Sequence, residues 1–146
     1  MFFGRHEHSL DAKGRVILPA RLRTAFETRA FLSAHLEGCL ALWTPEEFEK
    51  QRADMEAAGQ RGARDRNMVR VWASGVTEVE LDKQGRVPIP TYLRDFAGLE
   101  SAVLVIGALN RIELWNPEEW ASRVAPSVAS LTDPPTDEET ESSSTS

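Results

Sequence analysis

The chain has 146 residues, of which 41% are hydrophobic and 27% are charged. This length suits one globular domain or two very small ones packed together, and it excludes a large multidomain enzyme. The 17 basic and 23 acidic side chains give a formal net charge of −6, which by itself argues against nucleic-acid binding. Five of the acids follow residue 131 with no base among them, so residues 1–131 carry 18 acids and 17 bases and are close to neutral.

The cysteine content and the lengths of the apolar runs indicate the cellular compartment of the protein. The single cysteine, Cys39, has no partner for an internal disulfide, as is usual in a reducing compartment. Residues 1–6 lack the long apolar segment of a signal peptide, and the longest apolar run, at residues 103–106, is far too short to span a bilayer. The sequence therefore predicts a soluble cytoplasmic protein.

An internal repeat organises the chain. Residues 10–19, LDAKGRVILP, recur as residues 81–90, LDKQGRVPIP, at an offset of 71. The match continues through the Leu-Arg pairs and the Leu-Trp-x-Pro-Glu-Glu segments that follow each motif, at Leu22-Arg23, Leu93-Arg94, residues 42–48 and residues 114–120. We predict two repeats, at residues 5–49 and 76–121, joined by a helical linker at residues 50–75.

Each repeat contains one tight turn with the pattern Asp-x-x-Gly-Arg. Asp11 and Asp82 occupy the first position that a type I turn prefers, and their carboxylates are expected to accept backbone N–H groups. Gly14 and Gly85 follow three residues later, where a left-handed conformation closes the turn without steric cost. The arginine after each glycine begins the outgoing strand.

Short helices and strands follow each turn. Pro19 and Pro90, with their fixed φ, are expected in the first turn of short helices over residues 21–26 and 91–96. Two further strands per repeat are predicted at residues 30–35, 39–43, 102–106 and 111–115, with residues 107–110 as a turn.

Each repeat ends at a marked helix start. Thr44 is an N-cap residue followed by proline and two glutamates, and Asn116 repeats this pattern. The helix after Thr44 is predicted to reach Gly59, and a second helix over residues 61–73 leads into the second repeat. From Thr132 the composition turns to Pro, Asp, Glu, Ser and Thr, which predicts a disordered, acidic, Ser/Thr-rich tail at residues 132–146.

One repeat alone is too small to bury a sufficient core. Two repeats related by a pseudo-two-fold axis, with their strands interleaved into a small closed barrel, would bury the alternating Val, Ile and Leu positions and remove exposed strand edges. The predicted fold class is therefore α+β and strand-dominated, with flanking and linking helices.

The paired Asp-x-x-Gly-Arg-Val motifs, the duplicated Trp-x-Pro-Glu-Glu segment and the N-terminal Met-Phe-x-Gly resemble the MraZ family. The resemblance covers residues 1–124. It implies two tandem swapped-hairpin units of the type shared with AbrB and the MazE antitoxins. It also implies a sequence-specific DNA-binding transcriptional regulator that acts on tandem short repeats upstream of its own cell-division and cell-wall gene cluster. A ring-shaped homo-oligomer associated with the nucleoid is implied as well.

The same resemblance places DNA contacts in the two turns. The family's DNA-contacting loop falls on residues 11–15 and 82–86, so Arg15 and Arg86 are the first candidates, because a guanidinium fork matches phosphate and the O6/N7 edge of guanine. Lys13 and Lys83 are further candidates, although Lys83 stands one position earlier in its turn. From the residues alone, an Asp–Arg surface pair in a simple hairpin turn is an alternative reading.

Further basic residues lie outside the turns. Arg5, Arg21 and Arg23 give residues 1–36 six bases against three acids, so we count them as candidate DNA contacts, with solvated surface charge as the alternative. A second run of arginines, at positions 61, 64, 66 and 70, is expected mainly to form salt bridges with the acidic helix at residues 46–56, within or between subunits.

Other functions find less support in the sequence. His6 and His8 share one face of a predicted strand, but two ligands make a poor metal site, and the four tryptophans are expected to fill core or subunit contacts. We find no catalytic constellation, cofactor motif or small-molecule substrate site, so no enzyme is predicted. The rival function is an antitoxin-like protein-interaction module that uses the swapped-hairpin domain for dimerisation.

Overall fold

The computed structural model describes residues 1–133, in which strands and helices alternate in the order expected of a duplicated chain. The strands are β1 (Phe2–Ser9), β2 (Arg15–Ile17), β3 (Arg29–Ala34), β4 (Leu40–Trp43), β5 (Thr77–Glu80), β6 (Arg86–Pro88), β7 (Ala102–Leu109) and β8 (Ile112–Trp115). The α-helices are α1 (Ala20–Arg23), α2 (Pro45–Ala58), α3 (Ala63–Gly75), α4 (Thr91–Ala97), α5 (Pro117–Arg123) and α6 (Ala129–Thr132).

The strands of the two repeats are interleaved in an antiparallel sheet. Six strands pair in the order β1-β7-β8-β4-β3-β5, and β2 pairs with β6 as a separate two-stranded ribbon. The first strand of each repeat lies beside a strand of the other repeat, β1 beside β7 and β5 beside β3. The predicted α+β class is confirmed, and each repeat relies on the other to complete its sheet.

The predicted closed barrel is wrong. Within residues 1–133, β1 and β5 end the six-stranded sheet and do not pair with each other. The ribbon completes the core by packing its apolar side chains on the six-stranded sheet, without pairing its strands with that sheet. Val16 and Val87 lie opposite each other in the ribbon and are fully buried among the sheet's apolar residues. Apolar burial can therefore be achieved without closing the ring of backbone hydrogen bonds.

The turn predicted at residues 107–110 is confirmed only in its second half. β7 continues to Leu109 because β1 pairs with it along its whole length, from Phe2 opposite Leu109 to Ser9 opposite Ala102. Gly107 lies opposite Gly4 in this pairing. The reversal falls on Leu109 and Asn110, because the Ala108 N–H donates to the Arg111 carbonyl oxygen at 2.9 Å and Leu109 has a positive φ of 70°.

The helix starts follow the predicted capping residues. Thr44 Oγ1 accepts a hydrogen bond from the Glu47 backbone N–H at 3.2 Å, and Asn116 Oδ1 accepts one from Glu118 at 2.8 Å. The two linker helices are confirmed as α2 and α3. Pro19 and Pro90 are not in the first helical turn as predicted, because both have extended backbones and the helices begin one residue later.

The core and the C-terminal end agree in part with expectation. Trp43 and Trp115 are buried, and so is Cys39, whose thiol pKa is raised by that burial. Thr132 ends α6, so the predicted disordered tail does not begin there, and residues 134–146 lie outside the described residues. None of the described helices is both long and apolar enough to cross a membrane.

Candidate nucleic-acid interface

The two Asp-x-x-Gly-Arg turns have the same hydrogen bonding. In the first turn, Asp11 Oδ1 accepts the backbone N–H groups of Lys13 and Arg15, both at 2.9 Å. In the second, Asp82 Oδ1 accepts those of Gln84 and Arg86, also at 2.9 Å. The expected structural role of both aspartates is confirmed.

The glycines of the turns have the predicted left-handed conformation, with φ of +74° at Gly14 and +81° at Gly85. Each glycine N–H donates to the carbonyl oxygen of the turn's aspartate, at 3.0 Å in the first turn and 2.9 Å in the second. The backbone is therefore closed on itself at the point where each arginine leaves the turn.

Each aspartate also orients the arginine of its own turn. Arg15 Nε donates to Asp11 Oδ2 at 2.8 Å, and Arg86 Nε donates to Asp82 Oδ2 at 2.5 Å. The pKa of both carboxyl groups is lowered, most strongly by the hydrogen bond from the arginine's backbone N–H and further by its side chain. Both carboxylates are therefore charged at neutral pH and hold the guanidinium groups by Nε.

The ribbon brings the two turns together on one surface. Arg15 lies opposite Pro88 and Ile17 lies opposite Arg86, with the buried Val16–Val87 pair between them. Because residues alternate in side along a strand, both arginines lie on the face that points away from the core. Arg15 Nη1 is 3.9 Å from Asp82 Oδ2 of the other turn, so one charged cluster spans both repeats.

A second pair of arginines packs beneath these turns, each on a helix of the repeat opposite to its turn. Arg94 of α4 lies against Gly14, and Arg23 of α1 lies against Gly85, so close that a Cβ on either glycine would lie within 3 Å of the guanidinium carbon. Both Nε atoms are buried and have no hydrogen-bond partner in the described part of the chain. Arg94 is not among the residues predicted from the sequence, although its equivalence to Arg23 in the repeat was the available signal.

The remaining candidates are more dispersed. Lys13 and Lys83 are exposed on the turns themselves. Arg5 lies on β1 with Nη2 3.9 Å from Glu7, and Arg21 contacts β1 through His6 Nε2 at 3.0 Å. The structure therefore groups Arg15, Arg86, Arg23 and the lysines with the turns, and it places Arg5 and Arg21 beside β1.

The arginines of α3 do not bridge to α2 as expected. Arg61 Nε is 3.7 Å from Asp65 on its own side of the linker, and Arg70 donates to Asn67 at 2.8 Å. The acids of α2 bind bases of the same helix, so no ion pair joins the two helices within residues 1–133. The intrasubunit part of that prediction is wrong.

The histidine pair of β1 has no third ligand beside it. His6 has a lowered pKa, first because of partial burial and second because of the nearby Arg21 charge. Over residues 1–133, no group of three or more His, Cys, Asp or Glu side chains is placed to hold a metal ion.

Comparison with known proteins shows similarity to one protein family. The family model described as "MraZ protein, putative antitoxin-like" matches residues 1–71 and 73–140. The chain is 40% identical over 122 residues to the protein named transcriptional regulator MraZ of Acetivibrio thermocellus, which covers 84% of this chain and 85% of that protein. It is 38% identical to the proteins of the same name from Halothermothrix orenii, over 82% of this chain and 84% of that one, and Heliobacterium modesticaldum, over 87% and 91%.

Proposed function

The chain belongs to the MraZ family, as its sequence motifs indicated, and from this premise we propose that it is a transcriptional regulator that binds double-stranded DNA sequence-specifically. Its targets are tandem short repeats upstream of its own cell-division and cell-wall gene cluster. The curated relatives are named transcriptional regulators, and the exchange of β1 and β5 between the repeats supports a swapped-hairpin relationship. The protein has no catalytic step in this proposal, and it acts in the cytoplasm at the nucleoid.

The observation that carries this proposal is the placement of Arg15 and Arg86 on the outer face of one ribbon. Residues 71 apart in the sequence lie on paired strands, and each guanidinium is held through Nε by the aspartate of its turn. The major groove of DNA admits a two-stranded ribbon, and a guanidinium recognises guanine through two parallel hydrogen bonds. Holding Nε leaves the two terminal nitrogens of each arginine for that contact.

The other basic residues have supporting roles in this mechanism. Lys13 and Lys83, exposed on the turns, would contact phosphates and fix the position of the ribbon without reading the bases. Arg23 and Arg94 pack against the turn glycines and add positive charge directly behind them. Arg5 and Arg21 would extend the basic surface along β1.

Assembly follows from the small number of contacts that one subunit offers. One ribbon with two reading arginines should bind a single short element weakly. In a ring-shaped homo-oligomer facing tandem elements, later contacts become intramolecular, and avidity rises by orders of magnitude. We therefore include a homo-oligomeric ring in the proposal.

The proposal is tested by fluorescence anisotropy with DNA from the region upstream of the protein's own gene, at a fixed salt concentration. Tandem elements should bind more tightly than a single element, and both more tightly than scrambled DNA. Arg15→Ala should weaken specific binding by about tenfold or more, the equivalent of roughly 1–3 kcal/mol for one bidentate contact.

The matched control is Arg29→Ala. Arg29 is also an exposed strand arginine paired with an acid, Glu78 at 2.6 Å, but it lies on β3, a strand of the six-stranded sheet and not of the ribbon. This variant should bind operator DNA like the unaltered protein. An Arg15→Ala variant that binds as tightly as the Arg29→Ala variant would contradict the assignment.

A further inference from the structure

An open apolar groove lies among the helices, and none of the residues that line it belongs to the ribbon strands. It has a volume of about 810 Å³ and lies between α2, α3, α4 and the end of β3. We call this surface the helix groove and define it by the apolar residues Leu36, Met68, Val71, Trp72, Tyr92 and Phe96. Val71 and Leu36 are 74% and 71% exposed. Apolar side chains gathered at one exposed surface usually mark an interaction site.

The C-terminal segment of the chain is a second apolar surface, formed by a helical stretch. Residues 124–132 contain no charged side chain and form a short helical stretch after α5. Val128 and Leu131 are three residues apart in this stretch, which places them on one side of it. Val124 packs on the cluster around Trp115, whereas Val128 and Leu131 are 64% and 86% exposed.

The segment begins next to the helix groove without entering it. Arg123, at the end of α5, donates to the carbonyl oxygen of Glu37 at 3.2 Å, and Glu37 follows the groove residue Leu36. The side chains of Val128 and Leu131 nevertheless lie in solvent. The chain therefore exposes an apolar groove and an apolar helical segment, and it does not bring its own two surfaces together.

The charges around the two surfaces are complementary. The residues that follow Leu131 include five acids and no base. α3 carries Arg64, Arg66 and Arg70 against the single acid Asp65. Arg64 precedes Met68 by one helical turn, which places it on the groove side. An acidic segment that continued past the groove along α3 would therefore meet positive charge.

From these observations we propose that the C-terminal segment of one copy docks in the helix groove of a second copy, with Val128 and Leu131 as its apolar anchors. This is the helix-in-groove type of recognition. Because groove and segment are different surfaces, the contact is head-to-tail, and successive copies close into a ring when the rotation permits. The inference rests on the proposed function for the existence of the ring, and it names the two surfaces that build it.

The test compares the masses of variants by native mass spectrometry and sedimentation. Val71→Asp alters the groove and Leu131→Asp alters the segment, and both residues are exposed enough for the fold to tolerate the change. Each variant alone should fall from an oligomer to the single chain of 16.3 kDa. Leu109→Asp is the matched control, because Leu109 is equally apolar and 61% exposed but lies at neither surface, and it should remain oligomeric.

Mixing the two altered chains gives the sharpest result. The Leu131→Asp chain keeps its groove and the Val71→Asp chain keeps its segment, so the mixture should form one-to-one pairs that cannot extend. A mixture that stays as single chains overturns the head-to-tail contact. An oligomer that survives Leu131→Asp but not Val71→Asp also overturns it and would indicate a groove-to-groove contact. An oligomer that survives both changes overturns it as well, and would leave the groove to a small apolar ligand or another protein.

Failure of this inference and failure of the proposed function remain distinguishable. Leu131→Asp should bind a single DNA element like the unaltered protein while losing the advantage of tandem elements. If the unaltered protein shows no preference for operator DNA, the DNA-binding proposal fails whatever the masses show. If the masses do not change as expected but Arg15→Ala still abolishes operator binding, only the docking proposal fails.

Discussion

Arg94 packs across Gly14, so that a Cβ added to the glycine would lie 2.8 Å from the guanidinium carbon of the arginine. The mirrored contact joins Arg23 and Gly85, where that distance would be 2.6 Å. Each turn is therefore supported by a helix of the other repeat. The duplication produces one interdependent surface and not two independent binding units.

From this contact we predict that Gly14→Ala weakens DNA binding by more than its loss of stability would explain. The positive φ of Gly14 should cost about 1–2 kcal/mol of unfolding free energy once a side chain is present. The added methyl group also displaces the end of the Arg94 side chain, which is flexible enough to swing away at little further cost. We expect urea unfolding to show the φ cost alone, while anisotropy shows clearly weaker operator binding.

Gly38→Ala is the control for that experiment. Gly38 also has a positive φ, of 90°, but nothing lies within 4 Å of the position that a Cβ would take. It should lose similar stability and keep its affinity for operator DNA. Equal operator affinity in the two variants would show that the placement of Arg94 does not matter for binding.

The repeat made much of this arrangement predictable. Two copies of Asp-x-x-Gly-Arg predicted both turns, the left-handed glycines and the structural role of the aspartates, because these features depend on local backbone chemistry. The crossing of Arg94 over Gly14 and the pairing of β1 with β7 are long-range contacts that no local pattern encodes. The same limit explains why the turn predicted at residues 107–110 begins too early, because β1, a distant strand, holds Gly107 and Ala108 in β7.

Asp11→Ala distinguishes two effects of the carboxylate on DNA binding. If its negative charge mainly repelled phosphate, removing it would tighten binding. The structure instead shows Asp11 accepting the backbone N–H groups of Lys13 and Arg15 and the Nε of Arg15. Because a disordered arginine loses its preset geometry, we expect operator affinity to fall by about tenfold, comparable to the loss of one bidentate base contact.

The measurement for Asp11→Ala is the ratio of operator to random-DNA affinity at two salt concentrations. Loss of positioning should lower this ratio, whereas simple relief of repulsion would raise affinity for both DNAs equally. Glu7→Ala is a suitable control, because Glu7 is an exposed acid on β1 that lies near Arg5 but orients no turn. Tighter operator binding by Asp11→Ala would reverse the role assigned to this residue.

Gly107→Ala should destabilise the protein strongly. Gly107 lies opposite Gly4 in the β1–β7 pair, and a Cβ there would collide with the backbone of Phe3. Since backbone atoms cannot rotate away as a side chain can, β1 must shift, and we expect a loss of about 3 kcal/mol in unfolding free energy. The control, Gly75→Ala, ends α3 with its nearest neighbour at 3.9 Å and should gain about 0.4–1 kcal/mol.

Both glycine variants should be compared by urea unfolding at one protein concentration, because an oligomer's stability depends on concentration. Native-state hydrogen exchange adds a local readout. Gly107→Ala should deprotect the amides of β1 and β7 first, while α3 stays protected. If Gly107→Ala is as stable as Gly75→Ala, the close pairing of β1 and β7 is not maintained in solution.

His35 makes the stability of the fold dependent on pH. Its side chain packs edge-on against Trp43, and its Nε2 lies 3.9 Å from Glu113 Oε2. The pKa of His35 is lowered, first by burial and second by the Arg111 charge, with Glu113 acting in the opposite direction. The unfolded chain therefore takes up the proton first, so stability is fully present above the ordinary pKa near 6.5 and is lost as pH falls below it.

Thermal and urea unfolding between pH 8 and pH 5 should show this loss. Within the window below 6.5, each pH unit lowers the unfolding free energy by about 1.4 kcal/mol for one such histidine, until the lowered pKa of the folded state is reached. His35→Gln should flatten the profile, and a smaller slope of the same sign should remain from His6, whose pKa is lowered as well. A His35→Gln profile as steep as that of the unaltered protein would show that His35 is not held in its neutral form by the fold.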